Sequence, residues 1–307
     1  MRIIFMGTPE FALPSLSILA EEHHDIAAVV TVPDKPQGRG QHIQFSPIKE
    51  FALRNNFPLL QPVTLNDAEF IARIRELNAD IIVVVAFRIL PKEIFSLSTF
   101  GAINLHASLL PKYRGAAPIN WAIINGEKET GVTTFFLQEK VDTGNIILQA
   151  KVNIEENQTA GELHDALSDI GAEIVFHTVN LIENGNVHPT KQDEQLASAA
   201  PKIFRPHCKI DWNNPAATIH NFIRGLSPHP GAYTFYENTQ LKILRTKVTN
   251  AELKKQPGTI LECENKILVQ TSNGAIEILE LQKEGKKKMF TQEFLRGFHF
   301  KIGEKFS

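Results

Sequence analysis

Apolar runs rich in β-branched residues alternate with amphipathic stretches over about the first 185 residues. The apolar runs predict buried strands at Arg2–Met6, Ile26–Val32, Ile81–Val85, Phe100–Ile103 and Gly131–Leu137. Helical periodicity predicts one helix ending near Glu22 and others over Pro47–Asn56, Asp67–Leu77 and Thr159–Asn184. Because strands alternate with helices, and the run at 81–85 is apolar on both faces, we expect an α/β fold with a doubly wound, Rossmann-like parallel sheet.

The period of the pattern changes after a helix predicted over Ala216–Leu226. Short strand candidates follow at Leu241–Val248, Gly258–Leu261, Ile267–Thr271 and Ala275–Leu279. Closely spaced short strands are typical of a small β-barrel. We therefore predict an α/β domain over residues 1–205, in which 185–205 is a linker, and a smaller OB-like β-barrel domain over residues 206–307.

Charge is distributed unevenly between these two predicted domains. The chain of 307 residues has a net charge of −2, but residues 206–307 contain 15 Lys and Arg against 10 Asp and Glu, so the remainder is acidic. A basic smaller domain suggests that it binds a polyanion, and the lysine turn Lys286-Lys287-Lys288 would suit a nucleic-acid backbone. A solvated, solubilising lysine surface is the alternative.

Cysteine usage and the first residues bear on where the protein works. The two cysteines, Cys208 and Cys263, are far apart and match no metal-ligand spacing, which favours a reducing cytoplasm and no bound metal. A strand begins at once, without the features of a signal peptide, and no apolar stretch is long enough to span a bilayer. We expect a cytoplasmic protein that does not bind a membrane.

Three polar residues are the strongest candidates for chemistry. Asn104 and His106 follow a predicted strand and, being two residues apart, share one face of an extended backbone. Asp142 comes later, beyond a helix and a further strand. An amide donor, an imidazole and a carboxylate at one sheet edge can polarise a carbonyl group and move a proton at neutral pH. A buried structural histidine is the alternative for His106 taken alone.

Three loops are weaker candidates for ligand binding. Gly7-Thr8-Pro9 follows the first strand and could hold an anion or be a plain turn; it lacks the glycine fingerprint of dinucleotide binding. The loop Asp34–His42 contains Lys35 and Arg39, which would suit a phosphate-bearing ligand, or it is an ordinary surface loop. The turn Ala86–Pro91 could bind a flat heterocycle or simply connect a strand to a helix.

The chain closely resembles the bacterial methionyl-tRNA formyltransferases over nearly its whole length. The matching stretches are Arg2–Ala12, Pro33–Gly40, Asn104–Pro118, Thr130–Thr133, Asp142–Gly144, Ile210–Trp212, Pro257–Ile260 and Gly285–Lys287. The resemblance implies a monomeric transferase that passes the formyl group of 10-formyltetrahydrofolate to the amino group of methionyl-initiator-tRNA for translation initiation. A folate-dependent formyltransferase acting on an amino sugar nucleotide is the alternative.

The resemblance also implies roles for individual residues. Asn104, His106 and Asp142 would be catalytic. The folate donor would be bound by Arg88, Ile89, Leu90, Ser108, Leu109, Leu110, Pro111 and Val141. The tRNA substrate would be bound by Gly7, Thr8, Pro9, Lys35, Arg39, Arg114, Lys286, Lys287 and Lys288. One departure is that Phe87–Pro91 looks more like the purine-pathway transformylase than the Tyr-Gly-x-x-Leu-Pro of many relatives.

Overall fold

A computed structural model describes residues 1–37, 42–250 and 255–307. Two compact units are present, each built from three chain segments. The larger comprises residues 1–115, 131–152 and 164–199, and the smaller comprises 116–130, 153–163 and 200–307. The boundary near residue 205 stays our prediction for where independently folding domains would separate. Among the described residues, no helix has the length and apolar character needed to cross a membrane.

The first half of the chain supplies the strands and helices around the candidate site. The strands are β1 (Arg2–Gly7), β2 (Asp25–Val30), β3 (Lys35–Gln37), β4 (His42–Gln44), β5 (Leu59–Leu60), β6 (Ile81–Val85), β7 (Ala102–His106), β8 (Arg114–Gly115), β9 (Glu129–Phe136) and β10 (Ile146–Asn153). The helices are α1 (Leu13–Glu21), α2 (Pro47–Arg54), α3 (Ala68–Glu76), α4 (Lys92–Phe95), α5 (Pro118–Ile124) and α6 (Ala160–Glu183). Ser46 and Asp67 cap α2 and α3 by accepting backbone N–H hydrogen bonds, as their residue types predict.

A seven-stranded sheet forms in the order β10-β9-β7-β6-β1-β2-β5. From β7 to β5 the neighbouring strands are parallel, which confirms the predicted α/β sheet. The sheet is mixed, however, because β9 runs antiparallel to β7. If β9 were parallel to β7, the chain between them would have to form a crossover connection, usually a helix packed on the sheet. The helix in this fully described stretch, α5, instead belongs to the smaller unit.

Two local predictions differ from the structure near the first strands. The helix predicted to end near Glu22 begins as a separate 3-10 turn over Glu10–Ala12, followed by α1. Pro14 lies in the first turn of α1 and has no N–H to donate, so it cannot continue the ladder of the preceding turn. The predicted loop Asp34–His42 contains an antiparallel pair, β3 with β4, while Arg39 lies outside the described residues.

The smaller unit contains most of the remaining elements. They are β11 (Ala199–Ala200), α7 (Ala216–Leu226), β12 (Ala232–Tyr236), β13 (Thr239–Thr249), β14 (Ile260–Glu262), β15 (Ile267–Gln270), β16 (Ala275–Lys283), β17 (Met289–Phe290) and α8 (Thr291–Phe294). Their sheet has the order β12-β13-β16-β15-β14, with β17 added to β16. Buried Ile, Leu, Val and aromatic side chains of these strands and α7 form one core.

The residues at the C-terminal end link the two edges of this second sheet. Ser307 exchanges two backbone hydrogen bonds of 2.9 Å with Phe235 on β12. On the other side, Ile260 N donates to Glu304 O at 2.8 Å, and Phe306 N donates to Gly258 O at 2.9 Å. The curled antiparallel sheet confirms the predicted β-barrel character of the C-terminal region, although the sequence pattern does not predict this closing segment.

Candidate active site

Strand β7 carries the first two predicted catalytic residues. It extends to His106, three residues beyond the predicted end, because Asn104 and His106 pair with Phe135 and Thr133 of the antiparallel neighbour β9. The two side chains therefore lie on one face of the strand. Asn104 is partly exposed, and its carboxamide makes no hydrogen bond to another described residue. A free amide N–H next to a histidine can stabilise negative charge on a substrate oxygen.

His106 is 6% exposed and has a polar neighbour at each ring nitrogen. Its Nε2 lies 2.8 Å from the carbonyl oxygen of Tyr113, which can only accept, so Nε2 carries a proton. Its Nδ1 lies 3.7 Å from Oδ2 of Asp142. Because Nε2 is occupied by a backbone acceptor, Nδ1 is the nitrogen available to gain and lose a proton.

Asp142 lies in a turn whose backbone is tightly defined. Its φ is +54°, a left-handed conformation that Asp tolerates better than most residues. Its Oδ2 accepts a 2.8 Å hydrogen bond from the backbone N–H of Gly115. Gly144 follows without space for a side chain, since a Cβ there would lie 1.6 Å from the carbonyl oxygen of Phe136. The turn and β8 thus fix the carboxylate beside His106.

The loop after His106 contains four residues predicted to bind folate. Ser108 and Leu110 are buried, whereas Leu109 and Pro111 are partly exposed. The hydroxyl of Ser108 donates to Lys112 O at 2.6 Å, so it stabilises the loop itself.

Two residues on neighbouring strands hold this loop from below. Thr133 Oγ1 donates to Ser108 O at 2.6 Å and accepts from Leu110 N at 3.1 Å. Gln149 Nε2 donates to Leu110 O at 2.9 Å. The sequence analysis gives neither residue a role: Thr133 lies in a matching stretch but inside a predicted strand, and Gln149 lies in β10, which the pattern did not predict.

The other predicted folate contacts differ in exposure. Arg88 donates from Nη2 to Pro62 O at 2.9 Å and from Nη1 to Val63 O at 3.0 Å, and burial lowers the pKa of its guanidinium. Ile89 is 73% exposed, while Leu90 is buried in the core. Val141, one residue before Asp142, is 46% exposed. Exposed apolar side chains at Ile89 and Val141 are unusual for a plain turn and suit contact with a heterocycle.

Arg114 is a predicted substrate contact, but its guanidinium makes four hydrogen bonds within the larger unit. It forms a bidentate ion pair with Glu194, with distances of 2.8 and 3.0 Å. It also donates from Nη2 and Nε to Oε1 of Gln192, at 2.7 and 3.1 Å. Its side chain is only 12% exposed. Sequence reasoning missed Gln192 and Glu194, which lie in a segment without periodicity that was treated as a linker.

The remaining substrate-binding predictions occupy separate places. Gly7-Thr8-Pro9 joins β1 to the 3-10 turn, and the hydroxyl of Thr8 accepts a 3.4 Å hydrogen bond from Thr31. Lys35 begins β3 and is exposed.

The three lysines of the C-terminal turn are all exposed but differ in their partners. Lys288 forms a 3.2 Å ion pair with Glu280, whose side chain is only 10% exposed. In the described part of the chain, no carboxylate forms an ion pair with Lys286 or Lys287. These two therefore have the freer ammonium groups of the turn.

No group of three or more His, Cys, Asp or Glu side chains is placed to hold a metal ion in residues 1–37, 42–250 and 255–307. This finding concerns the described side chains only.

Comparisons with known proteins identify relatives of the whole chain. Residues 1–179 match the model of the formyl transferase family, and residues 202–299 match that of its C-terminal domain. A methionyl-tRNA formyltransferase of Caldanaerobacter subterraneus is 48% identical, covering 99% of each chain, and one of Flavobacterium johnsoniae is 47% identical, covering 98% and 97%.

Solved structures share the fold at lower identity. The N-formyltransferase of Helicobacter canadensis, solved with folinic acid and dTDP-3-aminofucose, superimposes with a TM-score of 0.68 at 24% identity, covering 92% of this chain and 98% of that one. With full-length relatives approaching half of all positions identical, and both family models matched in order, the chain belongs to the methionyl-tRNA formyltransferase family.

Proposed function

We propose that this chain transfers the formyl group of 10-formyltetrahydrofolate to the amino group of methionyl-initiator-tRNA. The observation that carries the proposal is the pairing of His106 with Asp142, 3.7 Å apart, on the same strand face as a free Asn104 carboxamide. Formyl transfer to an amine needs a donor for a developing oxyanion and a group that moves protons, and these three side chains supply both.

Asn104 acts on the oxygen of the formyl group. Its carboxamide N–H donates to that oxygen as negative charge develops during attack by the amine. Because the carboxamide has no partner among the described residues, no existing hydrogen bond must be broken before it can donate. The strand position fixes the direction of the donor, since β7 is bonded on both sides, by β6 and β9.

His106 and Asp142 move and balance the proton. The Tyr113 carbonyl holds Nε2–H, so Nδ1 is the nitrogen that carries the mobile proton towards the departing folate nitrogen. Asp142 stabilises the positive charge of the doubly protonated imidazole. Both groups are nearly buried, at 6% and 9% exposure, and this low exposure strengthens their electrostatic interaction.

The surroundings fit a folate donor, which supplies the activated formyl group when bound. Ile89 and Val141 present apolar side chains to solvent on the two loops that flank β7 and Asp142, while Leu109 and Pro111 are partly exposed on the loop after His106. We propose that these four residues contact the donor. Ser108, Leu110, Leu90 and the Arg88 side chain hold the loops in place beneath it.

The tRNA is bound, in this proposal, by Arg39, Lys35 and the Gly7–Pro9 turn, and by the lysine turn of the C-terminal region. Lys286 and Lys287 contact phosphate, and Lys288 contributes less because Glu280 already neutralises it. We further propose that the protein acts in the cytoplasm as a monomer.

The deciding experiment is transfer of labelled formyl from 10-formyltetrahydrofolate to charged initiator methionyl-tRNA, with charged elongator methionyl-tRNA as the matched control. We expect transfer to the initiator alone. Transfer to an amino sugar nucleotide in place of either tRNA would overturn the proposed substrate and leave the catalytic residues in place. Absence of transfer to any amine acceptor would overturn the proposed reaction.

A further inference from the structure

Gln192 occupies a buried position between Arg114 and the catalytic turn. It is 4% exposed, and its side-chain amide uses its full hydrogen-bonding capacity. Oε1 accepts the two bonds from Arg114, while Nε2 donates to Asp142 O at 2.9 Å and to Gly144 O at 2.8 Å. The neutral side chain of Gln192 thus connects the guanidinium of Arg114 to two backbone carbonyls of the turn that contains Asp142.

The two carbonyls belong to Asp142 and Gly144, the residues on either side of Thr143. Asp142 is itself the residue of the turn with a left-handed backbone conformation. A non-glycine residue at φ +54° is held there only when its surroundings define the backbone. The Gln192 amide and the Gly115 N–H grip Asp142 from two directions, one at the main chain and one at Oδ2. Arg114, which holds Gln192, and Gly115 are the two residues of β8. Both contacts with Asp142 therefore depend on the same short strand.

We propose that Gln192 is a positioning residue for the formyl-transfer reaction, and that Arg114 and Glu194 act through it. Glu194 fixes the guanidinium, the guanidinium fixes the amide, and the amide holds the turn so that Asp142 faces Nδ1 of His106. This inference rests on the proposed catalytic role of Asp142. It reassigns Arg114 from substrate contact to support of the catalytic turn.

Charge and burial favour this role over a contact with tRNA phosphate. Arg114 offers little exposed surface, and its charge is already balanced by Glu194, whose pKa is lowered by the hydrogen bond with Arg114. Lys140 lies 3.9 Å from the same carboxylate and is exposed, so it remains the accessible cation of this cluster. A phosphate approaching the cluster would meet the Glu194 carboxylate before the guanidinium.

The first test replaces the amide without changing its size. Gln192→Met removes all four hydrogen bonds at nearly constant volume, and Gln195→Met makes the same substitution at an exposed residue three positions later. We expect kcat of Gln192→Met to fall about 10- to 100-fold, because displacement of a reacting group by about 1 Å can cost 10²-fold, with KM for the folate donor within about twofold. Gln195→Met should match the wild type.

A conservative variant separates positioning from packing. Gln192→Glu is isosteric and keeps the acceptor for Arg114, but its carboxylate has no N–H to donate to Asp142 O and Gly144 O. We expect it to be as slow as Gln192→Met while remaining folded. Wild-type kcat in Gln192→Glu would show that the donated hydrogen bonds do not matter and would overturn the proposal.

A double-mutant cycle and amide exchange then test the route of the effect. In an Asp142→Ala background under single-turnover conditions, Gln192→Met should cost less than about twofold, because the group it positions is gone. A full, multiplicative loss there would refute action through Asp142.

Hydrogen exchange needs no substrate, so it separates this proposal from the proposed function. The Gly115 amide, which donates to Asp142 Oδ2, should exchange at least about 10-fold faster in Gln192→Met than in Gln195→Met. Unchanged exchange in a folded Gln192→Met protein would overturn the positioning role, whatever acceptor the enzyme formylates. Absence of formyl transfer by the wild type, with faster exchange in the variant, would overturn only the function.

Discussion

Gly144 is the position where a single added methyl group should do the most damage to catalysis. An ideal Cβ there would lie 1.6 Å from the carbonyl oxygen of Phe136, 2.8 Å from its carbonyl carbon and 3.1 Å from Cδ2 of Phe135. Real Cβ atoms essentially never approach another heavy atom more closely than 3.0 Å, so the turn must move away from β9 by more than an ångström. Asp142 is two residues away and would move with it.

The expected cost follows from that displacement. A shift of about 1 Å in a reacting group can lower the rate about 10²-fold, so we expect kcat of Gly144→Ala to fall by about that factor. Overpacking against β9 should also lower the free energy of unfolding by about 1–3 kcal/mol. KM for the folate donor should change less than kcat, because three of the four proposed donor contacts, Ile89, Leu109 and Pro111, are on other loops and only Val141 lies on this turn.

The assay is initiator-tRNA formylation with kcat and KM measured separately, together with thermal unfolding of each variant. Gly297→Ala is the matched control, since its Cβ would meet nothing within 4 Å and its φ lies outside the left-handed region. Gly297→Ala should retain wild-type kcat. If Gly144→Ala is folded and also retains wild-type kcat, the argument that the turn fixes the position of the Asp142 carboxylate is refuted.

Three further predictions test the site, the tRNA contact and the barrel. Asn104→Ala should lower kcat about 10²- to 10³-fold with donor binding kept in a direct binding assay, and near-normal turnover would remove it from catalysis. Replacing Lys286 and Lys287 by Gln should reduce the salt slope of tRNA binding by about one unit per lost phosphate contact, whereas Lys288→Gln should change it less; equal effects would contradict the Glu280 ion pair. Burial raises the pKa of Tyr236 from its ordinary value of 10 to about 12, so its stabilising effect is complete below pH 10 and is lost as the pH rises towards 12. Tyr236→Phe removes the hydrogen bond that the hydroxyl donates to Glu304, so it should unfold at lower temperature at pH 7. Because the variant has no phenol to ionise, it should lose less stability than the wild type between pH 10 and 12; parallel pH curves would refute this assignment.

The parts of the fold that the sequence predicts well are those governed by local pattern. The β-branched run Ile81–Val85 and the strand of β1 are buried on both faces, and their periodicity alone identifies them. The direction of β9 was not predictable in this way, because its own residues are equally suited to a parallel or an antiparallel neighbour. The direction depends on how the chain connects β7 to β9, and that connection includes α5, which belongs to the smaller unit.

In the C-terminal sheet too, only the strands with a clear local pattern were predictable. The sequence pattern predicted four of its six strands, but β12, β17 and the closing segment 304–307 were missed. Their pairing depends on partners that lie far away in sequence, such as Phe235 with Ser307, and four residues are too few to establish a period. Strand β7 was predicted to end three residues early because Asn104 and His106 interrupt its apolar run.

The candidate site shows the same limit. The sequence indicates residues with reactive side chains, but not the residues that position them. Asn104, His106 and Asp142 are predicted from sequence as catalytic residues because an amide, an imidazole and a carboxylate at a sheet edge have a recognisable chemistry, and the structure places Asp142 beside His106. Gln192 has no such signal: it lies 50 residues from Asp142 and 78 from Arg114, in a polar segment that predicted only a linker. Its role follows from which atoms it joins, and only the folded chain supplies that. The side-chain amide of Gln192 is buried, and each donor or acceptor that it left unpaired would lower the stability of the fold. All four of its hydrogen bonds are made, two with Arg114 and two with the turn that contains Asp142. Residues that position a site are therefore recognised from their hydrogen bonds in the structure. The variants at Gln192 measure how much of the rate of formyl transfer depends on those bonds.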